Sequence, residues 1–220
     1  MRKLTTRAFR REIVRFRALN AQRLYEAIDF IAQAESEQKD RDQQRRLQRD
    51  VAKGLKPFRE IPGIAEWMSA FDVERRTGHE TRFKFLVLVG PSRFGKTQLA
   101  KSLFGVDRTL VLNCQNVDEP NLRPFERRDH RAIVFDEISP LTVVKNKVLS
   151  QAGIEGVECG QSRTSIYSYW RFLYAIPLII STNEWVDNFR QDQLEEHAKA
   201  VDWLLKNQAL VVVDRPVWQE

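Results

Sequence analysis

Two hydrophobic patterns divide the chain. Between residues 8 and 33, Phe9, Ile13, Phe16, Leu24, Ile28 and Ile31 recur at steps close to one helical face, with Thr5 or Thr6 placed to cap the start. From 35 to 53 that pattern gives out. Leu47 and Val51 stand among mixed charges, which reads as a solvated helix or a linker. Pro57 and Pro62 then punctuate the chain, so the reading places a helical region over 1–56 and a second domain over 57–220. The second domain opens with a short amphipathic helix over 63–76.

After Gly78 the period changes. Phe83–Val89 (FKFLVLV), Thr109–Leu112, Ala132–Phe135, Leu178–Ser181 and Val211–Val213 are short apolar runs without alternation. Strands buried on both faces have that appearance, as in a parallel sheet. Helical patterns over 96–104 and 191–206 lie between them. The predicted class is α/β with a mostly parallel central sheet, preceded by the N-terminal helical region.

Composition narrows the function classes. No apolar run of the 220-residue chain approaches the roughly 18 residues that a membrane helix needs. Two cysteines, Cys114 and Cys159, make no disulfide framework, so a reducing compartment, nuclear or cytoplasmic, is expected. The histidines are far apart and no zinc spacing is present. Charge is uneven. Residues 1–23 hold eight basic side chains against the single acid Glu12, a net of +7; the whole chain is +6, so the remainder carries −1. That concentration points to an anionic partner, with nucleic acid first and Arg7, Arg10 and Arg11 as candidate contacts. The same segment also reads as an oligomerisation helix, or as a mitochondrial presequence. A secretory signal is excluded, since no apolar core follows the basic start.

The chemistry is concentrated in one motif. Residues 90–97 read GPSRFGKT and satisfy G-x-x-x-x-G-K-[ST], directly after an apolar strand and at the start of a helix. Gly90 and Gly95 allow successive N–H groups to face one anion. Gly90, Pro91, Ser92, Arg93, Phe94, Gly95, Lys96, Thr97 and Gln98 are the expected nucleotide-binding residues. Lys96 would reach the β- and γ-phosphates and Thr97 would ligate Mg²⁺. A second run, AIVFDE, ends in Asp136, expected to share the metal, and Glu137, expected as general base on the attacking water. A third, LIIST, ends at Asn183, an uncharged group suited to a γ-phosphate or to orienting water. ATP and Mg²⁺ are therefore the expected ligands.

These residues resemble the superfamily 3 helicase domain, specifically the ATPase portion of replication initiator (Rep) proteins of small circular single-stranded DNA viruses and related elements. The wider resemblance is to AAA+ ATPases of the P-loop NTPase fold. It spans about residues 60–215 and rests on GPSRFGKT, on IVFDE, on spacings of 40 residues from Lys96 to Asp136 and 47 from Asp136 to Asn183, and on the segment VECGQSRTSIYSYWRFLYAIPLIISTNEW. It implies an ATP-dependent helicase or remodelling motor, a hexameric ring, no membrane partner, and a β-hairpin over 156–163 that touches single-stranded DNA through Arg163. This chain departs from the family pattern in three ways. No histidine precedes His79, so the nicking chemistry of complete Rep proteins is not encoded here. Arg163 is the one basic residue of the hairpin stretch 158–163. Where relatives carry a paired arginine acting across subunits, this chain has Lys206 and Asn207, leaving Arg171, Arg190 and Arg215 as substitutes. A decayed or domesticated nucleotide-binding scaffold, or a DNA-binding module without motor activity, is the alternative. Tyr167, Tyr169, Trp170, Phe172 and Tyr174 interleave with Arg163 and Arg171; packing is the favoured reading, base stacking the second. Arg123–Arg128 reads as a solvated basic loop.

Overall fold

The structure, a computed structural model, describes residues 21–160, 168–186 and 197–219. Thr5, Thr6, Arg7, Arg10, Arg11, Arg163, Tyr167 and Arg190 lie outside them. The chain forms two compact units, Met1–Gly54 and Leu55–Glu220.

In the first unit one helix, α1 (Ala21–Lys53), runs unbroken through the polar stretch. No large apolar face supports that length. Neighbouring turns are instead tied by Gln33 to Glu37, Gln38 to Asp42 and Lys53 to Asp50, the i,i+4 and i,i+3 pairs of a solvated helix. No described helix is long and apolar enough to cross a membrane.

The second unit is α/β. Helix α2 (Pro62–Thr77) begins with proline in its first turn and stops at Gly78, whose φ of 66° suits glycine. It buries Ile64, Trp67 and Phe71, and the Trp67 indole N–H donates to the Lys84 carbonyl at 2.9 Å. There follow β1 (Phe85–Val89), α3 (Lys96–Leu103), β2 (Thr109–Asn113), β3 (Ala132–Asp136), α4 (Pro140–Lys145), α5 (Lys147–Ser150), β4 (Val157–Cys159), β5 (Tyr169–Arg171), β6 (Leu178–Thr182), α6 (Ala198–Asn207) and β7 (Gln208–Val212). Strands β4 and β5 pair antiparallel as a separate two-stranded hairpin. The other five form one sheet in the order β2-β3-β6-β1-β7, every pair parallel. Their unalternated apolar runs are explained by burial on both faces: Phe85, Leu86, Val87, Leu88, Ile133, Val134, Phe135, Ile179 and Ile180 are all buried.

That order has a switch point. From β1 the chain passes to β2 on one side, and from β6 it passes to β7 on the other. The loops leaving β1 and β6 therefore diverge and open a crevice at the carboxyl ends of the sheet, where open α/β sheets bind ligands. Register aligns the ends. Val89 lies opposite Thr182 and Val212, Asp136 opposite Ser181, and Asn113 opposite Asp136.

The last strand differs from expectation. It starts at Gln208, three residues before the expected run, because α6 passes into it without a turn. Gln208 is buried and accepts from the Trp185 indole N–H at 2.8 Å, so a polar side chain belongs to the strand. Replacing Trp185 with Phe strands that amide oxygen and is expected to cost about 1–3 kcal/mol. Urea unfolding is the check; an unchanged midpoint contradicts the assignment.

Candidate functional site

The loop between β1 and α3 is shaped by two close approaches. A Cβ on Gly90 would collide with the Val213 carbonyl, and one on Gly95 would lie 2.7 Å from Val217 Cγ2 and 2.9 Å from Trp218 Cζ2. Gly95 also has φ 86° and Arg93 φ 66°, so left-handed residues recur within the turn, the geometry that gathers N–H groups into an anion cradle. The N–H groups of Ser92, Arg93 and Gly95 donate to no protein acceptor among the described residues. Helix α3 starts at Lys96 with no side-chain cap, leaving its positive end open to the same space.

Lys96 is the centre of the arrangement. Its residue is 5% exposed, yet its ammonium pairs with no carboxylate among the described residues. Nζ donates to the carbonyls of Gly90 at 2.8 Å and Pro91 at 2.9 Å and to Asn183 Oδ1 at 2.9 Å. Burial pushes its pKa down, while the nearby Glu137 and Asp136 carboxylates pull it back. Three neutral acceptors satisfy its three protons. A buried cation held only by neutral acceptors can exchange them for the oxygens of an incoming anion.

Asn183 continues the chain. Its Nδ2 donates to Glu137 Oε1 at 2.9 Å, so loop, β6 end and β3 end are joined in one line, Lys96–Asn183–Glu137. Glu137 has φ 58°, costly for a residue with a Cβ, and is held there by its N–H on the Ser181 carbonyl at 2.8 Å. Beside this line Thr97 Oγ1 donates to Asp136 Oδ1 at 2.9 Å and lies 3.0 Å from Ser181 Oγ. Ser181 was not singled out in the sequence. Its signal is a hydroxyl inside the buried apolar strand β6, opposite Asp136 and Leu88 in register.

The structure thus brings together Lys96, Thr97, Asp136, Glu137 and Asn183 at three adjacent strand ends. Gly90 to Gly95 surround Lys96, while Pro91, Ser92 and Arg93 are exposed, and half-buried Gln98 makes none of these contacts. Arg7, Arg10, Arg11 and Arg163 lie outside the described residues.

The hairpin corrects one expectation. Tyr169 and Tyr174 pack, with Tyr169 donating to Asn121 Oδ1 and accepting from the Leu122 N–H. Trp170 stays outside the core: it is 61% exposed, lies over Gly156 and flat against Phe172 at 5.9 Å, and Phe172 in turn stacks on Tyr174. The reason lies in strand alternation, which turns Trp170 away from the side of Tyr169 and Arg171. Arg127 covers Phe172 at 5.3 Å and donates to the Tyr174 carbonyl. Glu158 faces Trp170 across the hairpin. Arg171 spends its donors on the carbonyls of Leu122, Trp170 and Arg123, so it is a brace rather than a projecting cation. Lys206 is paired with Asp202, and Asn207 accepts from Gln151 at 2.6 Å.

Neither protein-family models nor the sequences of curated proteins give a match to this chain.

Cys114 lies just beyond β2, its N–H on the Asp136 carbonyl. Burial first, and the Asp136 charge second, push its thiol up to about 12. At pH 8 it holds almost no thiolate, so iodoacetamide is expected to leave Cys114 unmodified in native protein and to label it in urea. Rapid native labelling at Cys114, read by mass spectrometry, contradicts the described burial.

Proposed function

We propose that this chain is a P-loop ATPase of AAA+-like type, similar to the superfamily 3 helicase domain, that binds ATP at Gly90–Thr97 and hydrolyses it. The observation that carries the reading is the convergence of Lys96, Asn183 and Glu137 in one hydrogen-bonded line, beside the Thr97–Asp136 pair. A chance glycine turn gives no reason for three separate strands to aim a cation, an amide and two carboxylates at one crevice.

The residues divide the chemistry by position. The loop N–H groups and Lys96 receive the phosphates, and Lys96 exchanges its carbonyl partners for phosphate oxygens. Thr97 Oγ1 and Asp136 Oδ1 supply two oxygens, a donor set that fits Mg²⁺, which keeps most of its ligands as water and phosphate. That ion, when bound, would neutralise charge on the terminal phosphates. Glu137 holds one oxygen on Asn183 and leaves Oε2 without a partner among the described residues, able to take a proton from water attacking the terminal phosphorus. Asn183 fixes that carboxylate and meets the same phosphate through its amide.

Single-stranded DNA is the proposed polymer partner, and self-association into a hexameric ring the proposed assembly. The exposed Trp170–Phe172 stack with Arg127 above it supports the first, since bases stack on such rings beside cations. A specific observation keeps a scaffold without motor activity as the second reading. The stretch that in relatives supplies an arginine across subunits holds Lys206 and Asn207, both engaged within their own chain.

Lys96→Ala is expected to abolish binding of a fluorescent ATP analogue, and wild-type affinity in that variant contradicts the proposal. Glu137→Gln is expected to keep binding while turnover falls about 10²- to 10⁴-fold. A phosphate-release assay separates the readings: no turnover in the wild type favours the scaffold. Trp170→Ala is expected to weaken binding of a labelled single strand about 5- to 150-fold, read by anisotropy, and unchanged affinity removes the hairpin from the DNA surface.

A further inference from the structure

The site just described accounts for phosphates and metal and leaves the rest of the nucleotide without a place. The acids and the amide mark one direction. Asp136, Glu137 and Asn183 all lie on the β6–β3 side of the loop, so the terminal phosphate belongs there. The nucleoside must leave from the other end of the phosphate chain, over the first turn of α3 toward β7.

On that side two segments are built onto the loop. Residues 214–219 run back from β7 as a strap. The Val217 N–H donates to the Phe94 carbonyl at 3.0 Å, and the Val217 carbonyl accepts from the Arg59 N–H at 2.8 Å. The Gln219 N–H donates to the Pro57 carbonyl at 2.8 Å. The Arg59 side chain locks the strap from below, with Nε on the Pro216 carbonyl at 3.1 Å and its guanidinium on Asp214 at 3.3 Å. Between the segments Phe58 and Trp218 stack at 4.7 Å with their planes 27° apart. Trp218 lies close against Gly95, at the spot a Cβ there would need. Both rings are half-buried and so keep open surface, and the nearest acid of the strap, Asp214, is already paired with Arg59.

We infer that the strap 214–219 and residues 57–59 form the nucleobase site, with the Trp218–Phe58 pair as the aromatic wall against which the purine base of the bound triphosphate rests. The inference rests on the phosphate-site reading above and adds the part of the ligand that reading does not place. The wall consists of two stacked aromatic rings with open surface, which suits a planar base. It also explains a glycine at 95 on two counts, since a side chain there would displace both the phosphate loop and the wall.

The test compares two ligands that share phosphates and differ in the base. Calorimetric titrations of ATP and of inorganic tripolyphosphate, both with magnesium, are run on the wild type and on Trp218→Ala and Trp218→Phe in the full chain. Wild type is expected to bind ATP more tightly than tripolyphosphate. Trp218→Ala should weaken ATP about 5- to 150-fold, as loss of one ring–base stack does. Tripolyphosphate affinity should not change, and Trp218→Phe should restore most of the difference. Equal weakening of both ligands, unchanged ATP affinity, or tighter ATP binding on truncation would overturn the inference alone. The last of these would make the strap an obstruction. If the wild type prefers tripolyphosphate or binds both alike, the inference fails without any variant having to fold. If the wild type binds neither, the phosphate-site reading falls with it.

Discussion

A buried ammonium held by neutral oxygens is the constraint on which this structure turns. Lys96 has lost most of its water and pairs with no carboxylate among the described residues; it leans on two carbonyls of its own loop and on the amide of Asn183. Such a group is costly unless its protons are satisfied, and here they are satisfied by acceptors that an anion can replace without leaving a buried charge behind. The fold supplies that arrangement through the parallel sheet. Placing β6 between β1 and β3 puts the amide midway between cation and base, so the three cannot separate without disturbing a sheet whose interior is fully buried.

The site is one network with two branches. One runs from Lys96 through Asn183 to Glu137, the other from Thr97 to Asp136 and Ser181. The first joins the group suited to sensing phosphate to the group suited to activating water, and the second holds the oxygens suited to a hard cation. Glu137 sits in a backbone conformation that side chains avoid, held by the Ser181 carbonyl, and local strain of this sort collects where function demands a fixed direction. On the far side of the loop, the strap from 214 to 219 closes against 57–59, so the same turn is supported from behind by an aromatic pair.

Much of this was legible in the residues. The five apolar runs fall on strands, as short runs without alternation suit a sheet covered on both faces, and the glycine-lysine-threonine turn fell between a strand and a helix as its pattern requires. What escaped reading has physical reasons. The polar stretch over 35–53 read equally as a solvated helix or a linker, and it is a helix because side chains one turn apart satisfy each other, a local effect that an apolar-face pattern does not register. Gln208 belongs to a strand because a tryptophan from the preceding crossover caps its amide, a contact across 23 residues. Ser181 was hidden inside an apolar strand, and the strap over 214–219 drew no reading, because both depend on register and on tertiary packing. Trp170 was expected to pack with its neighbours; strand alternation turned it outward.

The account makes its most direct commitment about where phosphate goes. A crystal structure of the full chain with magnesium and a slowly hydrolysed ATP analogue tests it. The account predicts phosphate oxygens among the N–H groups of 92–97, with Lys96 Nζ turned from the Gly90 and Pro91 carbonyls onto them and Asn183 facing the terminal phosphate. An analogue bound elsewhere, or a loop that stays empty at saturating ligand with Lys96 still on its own carbonyls, would contradict it.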